Sequence, residues 1–137
     1  MKLVVHVDGG ARGNPGPAAA ASVLSTADGE VVGEHAELLG TATNNAAEYR
    51  ALLLGLRHAR ELGASEVEVV GDSELIAKQV QGEYKVRKEE LRPLHAQALA
   101  AAREFERFSI RTVPRAQNAR ADALVNAALD GTLESSA

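Results

Sequence analysis

Four carboxylates in this sequence stand where carboxylates are awkward. Asp8 ends the apolar run "KLVVHVD", Glu48 lies inside "TNNAAEYRALLLGL", Asp72 ends "EVEVVGD" and Asp122 lies in "NARADALVNAAL". Acids gathered at one place repel one another and raise one another's pKa. Divalent cations remove that penalty. With oxygen ligands, no cysteine and no histidine at ligand spacing, the cation is a hard one, Mg²⁺ or Mn²⁺. Two such ions a few ångströms apart suit in-line attack on a phosphodiester, so the chemistry these residues allow is metal-dependent phosphoryl chemistry. Spacing alone does not show that the four meet.

Each acid also has a plainer reading. Asp8 and Asp72 could start a turn or cap a helix, and Asp122 could complement a helix dipole. Glu48 is harder to explain away. At about 100° per residue, Leu52, Gly55, Ala59 and Leu62 share its direction, while Arg50, Arg57 and Glu61 point the other way. A carboxylate on an apolar face is costly unless it is paired or bound to a cation.

The elements that must position these groups follow from pattern and punctuation. Lys2–Asp8, Ala18–Ser25 and Glu30–Leu39 read as three strands of an antiparallel meander, with the turn "ADG" between the second and third. A long helix follows, with Thr43 or Asn44 as N-cap and Gly63 as its stop. Glu66–Asp72 reads as a fourth strand, and "SELIAKQVQG" as a short helix ending at Gly82. The connector "EYKVRKEE" leads to an alanine-rich helix from about Glu89 to Glu106. "FSIRTV" reads as the fifth strand, "PRAQN" as a loop and Ala119–Leu129 as the last helix. The expected fold class is α/β: a five-stranded mixed sheet, three antiparallel strands then parallel crossovers, flanked by helices. Residues 1–130 form one domain in this reading, and 131–137 a disordered polar tail, compatible with a linker to something further.

Composition narrows the class. The chain has 137 residues and a formal net charge of −4, which argues against a nucleic-acid partner unless several acids are metal ligands. Two Phe, two Tyr and no Trp exclude a base-stacking platform. No apolar run approaches the roughly 20 residues that span a bilayer, the N-terminus lacks a signal-peptide pattern, and there are no cysteines to staple a secreted domain. The expectation is a soluble cytoplasmic monomer with no membrane partner.

The motifs that hold the four acids resemble those of ribonuclease HI. "DGGARGNPGPA", "TNNAAEYRALLLGL", "GDSELIAKQ" and "NARADALVNAA" look like the family's four motifs in order, spanning Asp8 to Ala128. The resemblance implies a ribonuclease H-like fold and an endonuclease that cuts the RNA strand of an RNA–DNA hybrid. It implies that Asp8, Glu48, Asp72 and Asp122 are catalytic and hold two Mg²⁺ ions, with Mn²⁺ as an alternative. One ion would activate water and the other would stabilise the leaving 3′ oxygen, giving 5′-phosphate and 3′-hydroxyl ends. It further implies that Asn14, Asn44 and Asn45 read RNA 2′-hydroxyls in the minor groove, that Gly9 and Gly10 admit the RNA strand, and that Thr43 holds a DNA-strand phosphate. Asn118 is carried over as a substrate contact in the same way.

The sequence also departs from that pattern. None of His6, His35, His58 or His95 lies near the short loop "VPRAQN", where many members carry a catalytic histidine. Arg115 is the nearest candidate to aid proton transfer, leaving-group stabilisation or product release. A long basic insertion is missing, leaving "YKVRK" with Lys85, Arg87 and Lys88 as a reduced DNA-strand contact and Tyr84 in place of a usual tryptophan. Glu74 follows "DS" where relatives have an RNA-contacting glutamine. Two alternatives stay open: a relaxed nuclease that also cuts double-stranded RNA, and a non-catalytic hybrid-binding module.

Overall fold

The structure, a computed structural model, describes residues 1–132. Strands β1 (Lys2–Ala11), β2 (Gly16–Thr26) and β3 (Val31–Ala42) form the meander, and helix α1 (Asn44–Glu61) follows. Next come β4 (Glu66–Gly71), α2 (Glu74–Val80), a single 3₁₀ turn (Glu89–Leu91), α3 (Arg92–Ala102) and β5 (Arg107–Thr112). A second 3₁₀ turn (Arg115–Asn118) leads into α4 (Ala119–Asp130). The strand order is β3-β2-β1-β4-β5, antiparallel among the first three and parallel from β1 to β4 to β5.

The two faces of the sheet are covered differently, and the strand sequences record it. On one face, Leu3, Val5, Val7, Ala20, Leu24, Val67, Val69 and Ile110 pack with Tyr49, Leu52, Leu56 and Ala59 of α1. On the other, Ala19, Ala21 and Val23 of β2 meet Ala121, Leu124, Val125 and Ala128 of α4. Strand β2 is thus buried on both sides, which is why "AAAASVL" runs without polar alternation except for the buried Ser22. Strand β4 alternates instead, with Val67 and Val69 inward and Glu66 and Glu68 outward. Glu68 there pairs with Lys2 and Arg111.

Several expected boundaries move, and the larger shifts have physical reasons. Strand β1 continues past Asp8 because Gly9, Gly10 and Ala11 pair with Ala20, Ala19 and Ala18; sheet pairing overrides the loop signal of the two glycines. The expected helix from Glu89 to Glu106 is shorter. Pro93 has no N–H and is tolerated only in a first turn, so the α-helix starts at Arg92. It ends at Ala102, where i→i−3 bonds tighten the chain and Phe105 turns back into the core. The tail expected from 131 lies outside the described residues from 133 onward; Gly131, at φ +71°, and Thr132 instead close α4 by bonding back to Ala128 and Ala127.

Two glycines let α1 lie close on β1. A Cβ at Gly55 would fall 2.7 Å from Val5 Cγ1, and one at Gly9 would fall 2.2 Å from the Ala47 carbonyl oxygen. The second approach sets the height of the first turns of α1 above the end of β1. Gly9→Ala is expected to reduce unfolding free energy by about 1–3 kcal/mol through overpacking against backbone. An unchanged midpoint in chemical denaturation would show that the helix does not depend on this contact.

Candidate active site

Register brings the first two acids together. His6 stands opposite Val70 in the parallel ladder of β1 and β4, so two residues further on Asp8 and Asp72 leave the sheet side by side. This is the C-terminal edge of the parallel strands, where α/β sheets place ligands. Glu48 descends from α1 onto the same point, because Gly9 lets the helix approach. One ligand oxygen from each of Asp8, Glu48 and Asp72 lies within 4.8 Å of the others. Asp122, in the first turn of α4, lines the same cleft of about 490 Å³ but stands outside this tight group.

The gathered acids pay for their closeness in proton affinity. Burial first, then Asp8 and Asp72, pushes Glu48 up to about 9, although the Gly9 amide hydrogen-bonds its carboxylate. Burial first, then Asp72 and Asp122, pushes Asp8 up to about 7. Asp72 is also raised by burial, with Arg115 opposing. An all-oxygen donor set that resists ionisation by itself fits a hard divalent cation, which favours the charged form of every ligand at once. Asp8, Glu48 and Asp72 are close enough together to hold such an ion.

Around the acids, side chains act mainly to hold the site in place. Arg115 donates to Asp122 Oδ1 at 3.2 Å. Asn126, one turn further along α4, donates from Nδ2 to the Asp122 carbonyl at 3.1 Å and to Oδ2 at 3.4 Å. Asn14 Oδ1 accepts from the Asn44 backbone N–H at 3.0 Å, and Asn44 Oδ1 accepts from the Ala11 N–H at 2.9 Å. These two bonds tie the β1–β2 loop to the start of α1. Thr43 is the N-cap, its hydroxyl accepting from Ala46 N–H at 3.1 Å.

Three further residues expected to contact substrate lie away from the acids or have partners within the protein. Asn118 is 1% exposed and donates to the Val7 carbonyl at 2.8 Å; it hooks the start of α4 onto β1 beneath the acids, so its side chain cannot face a substrate. Glu74 lies on the solvent side of α2, where Lys78 at 2.8 Å holds its carboxyl below the ordinary value. Asn45 lines a second hollow with Tyr84, Lys85, Arg87 and Lys88, and the Lys78 ammonium sits 5.0 Å from the Tyr84 ring centre. The histidines stay out of the cleft: His35 and His58 stack on each other, and His95 bonds the Gln79 carbonyl. Asn126 and Arg12 line the cleft and were missed in the sequence; for Asn126 the i, i+4 spacing from Asp122 was the available signal.

The raised carboxyls fix the sign of a pH effect. With folded-state values above the unfolded ones, the metal-free protein binds more protons folded than unfolded. Its stability is therefore greatest below the ordinary carboxyl range and falls as pH rises from there, until about 7 for Asp8 and about 9 for Glu48. In EDTA the melting temperature should drop across that window, and Glu48→Gln should flatten the drop and melt higher than the parent near its upper end. Mg²⁺ should raise the parent's melting temperature and raise that of Glu48→Gln less. A parent melting temperature independent of pH in EDTA would contradict the mutual repulsion described here.

A family model described as reverse transcriptase-like matches residues 6–128. The chain is 47% identical over its whole length to the bifunctional protein Rv2228c of Mycobacterium tuberculosis, of which it spans only 38%. It is 46% identical over 94% of its length to a protein of Halobacterium salinarum named ribonuclease HI, covering 65% of that protein. Among solved structures, RNase H1 of Halobacterium salinarum superposes with a TM-score of 0.94 at 44% identity, covering 96% of this chain and 99% of that one. LC11-RNase H1, solved in complex with an RNA/DNA hybrid, superposes with a TM-score of 0.90 at 40% identity, covering 96% and 99%. Order of motifs, strand topology and these likenesses agree: the chain belongs to the reverse transcriptase-like family and has the fold of a type 1 ribonuclease H.

Proposed function

We propose that this chain is an endoribonuclease that hydrolyses the RNA strand of an RNA–DNA hybrid, leaving 5′-phosphate and 3′-hydroxyl ends. The observation that carries the reading is the group of Asp8, Glu48 and Asp72 within 4.8 Å at the end of two parallel strands, with Asp122 in the same cleft. A protein that only bound nucleic acid would have no use for uncompensated acids facing phosphate. The relative solved with an RNA/DNA hybrid supports the choice of substrate.

Two Mg²⁺ ions, or Mn²⁺, would supply Lewis acidity at the scissile phosphate and lower the pKa of the attacking water. The chain's own residues do the rest. The β1–β4 ladder and the Asn118 hook hold Asp8 and Asp72 rigid, as a metal site needs. Arg115 keeps its protons under all working conditions, so it does not shuttle one; its guanidinium offsets charge on Asp122 and on the departing strand. The amide Nδ2 groups of Asn14 and Asn44 donate to RNA 2′-hydroxyls while their oxygens stay on the backbone; Asn45 adds a third such amide, and Gly9 and Gly10 keep the strand edge open. Thr43 and the hollow of Tyr84, Lys85, Arg87 and Lys88 take phosphates of the DNA strand. The domain works as a monomer in the cytoplasm in this reading.

End-labelled hybrid, double-stranded RNA and single-stranded RNA, each with Mg²⁺, Mn²⁺ or EDTA, test the reading directly. Metal-dependent cutting of the RNA in hybrid is expected. Asp8→Asn should slow it by roughly 10³-fold, equal to about 4 kcal/mol of lost transition-state stabilisation. Equal cutting of double-stranded RNA would replace hybrid specificity with a relaxed nuclease, and binding without cutting in either metal would leave only a binding module.

A further inference from the structure

We propose that Arg12 is a further substrate-binding residue: a guanidinium that Asp130 holds at the α4 side of the cleft and releases to a backbone phosphate of the bound nucleic acid. The inference rests on the hybrid reading above and adds a contact to it. It begins with strand parity. Asp8, Gly10 and Arg12 alternate onto one side of the extended chain, and a Cβ at Gly10 would point to Val125 of α4 at 3.8 Å. Arg12 therefore emerges on the α4 side, on the same cleft wall as Asp8. Its backbone is fixed there, because the Arg12 N–H donates to the Pro17 carbonyl at 2.8 Å.

The guanidinium has two partners, both on α4. Nη1 lies 2.6 Å from Asp130 Oδ1, and Nη2 donates to Asn126 Oδ1 at 3.4 Å. Both side chains of the ion pair are about half exposed, at 47% and 50%, so the pair is screened and weak. Asp130 is also electrostatically misplaced: it is the last residue of α4, next to the Gly131 cap, where the helix dipole disfavours an anion. Arg12 compensates that carboxylate in the free protein, yet a phosphate offers the same guanidinium a better bidentate partner.

Position suits the role. Arg12 is four residues beyond Asp8, about 13 Å along an extended chain, a few nucleotide steps on a strand with one phosphate per roughly 3.4 Å of axis. The contact is also wired to the acids, since Asn126 accepts from Arg12 and donates to Asp122. Arg12 and Arg115 are the two arginines among the residues that line the cleft.

The two halves of the ion pair give opposite signs, which separates this role from a structural tether. Binding of a fluorescently labelled RNA–DNA hybrid is measured in EDTA over a series of NaCl concentrations. Arg12→Ala should weaken binding several-fold and lower the slope of log K against log salt by about 1; Arg12→Lys should restore the slope. Asp130→Asn should tighten binding by roughly 2–5-fold, the equivalent of an exposed ion pair, and Arg12→Ala/Asp130→Asn should behave as Arg12→Ala alone. Equal weakening by both single variants would make the pair a tether and overturn the proposal. So would an Arg12→Ala variant with parental affinity and slope while the parent binds and cuts hybrid. A parent that neither binds nor cuts hybrid would overturn the hybrid reading, and this contact with it.

Discussion

The parallel pairing of β1 with β4 is the constraint on which the rest of the molecule turns. It sets Asp8 level with Asp72 at one edge of the sheet. A shift by one residue would turn either side chain to the opposite face. The register is held by the buried faces of both strands, with Leu3, Val5, Val7, Val67 and Val69 beneath α1. Hydrophobic burial thus fixes the spacing of two charges that repel.

The surroundings read as a response to that repulsion. Gly9 admits α1 closely enough for Glu48 to join, and its amide offers one hydrogen bond to the incoming carboxylate. Asn118 fastens α4 to the Val7 carbonyl, one residue before Asp8. Arg115 and Asn126 steady Asp122 from either side. The two arginines among the residues that line the cleft both bond to side chains of α4 and not to the three clustered acids. The protein leaves its three clustered acids strained electrostatically, a state suited to capturing small hard cations and not to stability.

Much of this was legible along the chain because local physics carried it. The period of α1 exposed Glu48 as a misfit, and the apolar run of β4 marked it as a strand. Acids at strand ends were visible as such. Where the reading failed, a distant partner decided the outcome. Gly9 and Gly10 look like a loop until β2 supplies its ladder partners. Asn118 looks like an exposed residue at a helix start, yet it is buried under α4 and bonded to β1. Arg12 looks like a loop charge until the end of α4 arrives beside it.

The sequence by itself determined the order of the elements, the apolar face of α1 and the acidic, oxygen-rich character of the site on a mixed α/β scaffold. These follow from side-chain periodicity and residue type, which are properties of short segments. Only the tertiary structure decided that Asp8, Glu48 and Asp72 share a space within 4.8 Å, that Asp122 reaches the same cleft from α4 with Arg115 bonded to it, and that Arg12 reaches Asp130 across 118 positions of chain. Those are distances between segments far apart in sequence, and they depend on strand register and helix height, which no local pattern encodes.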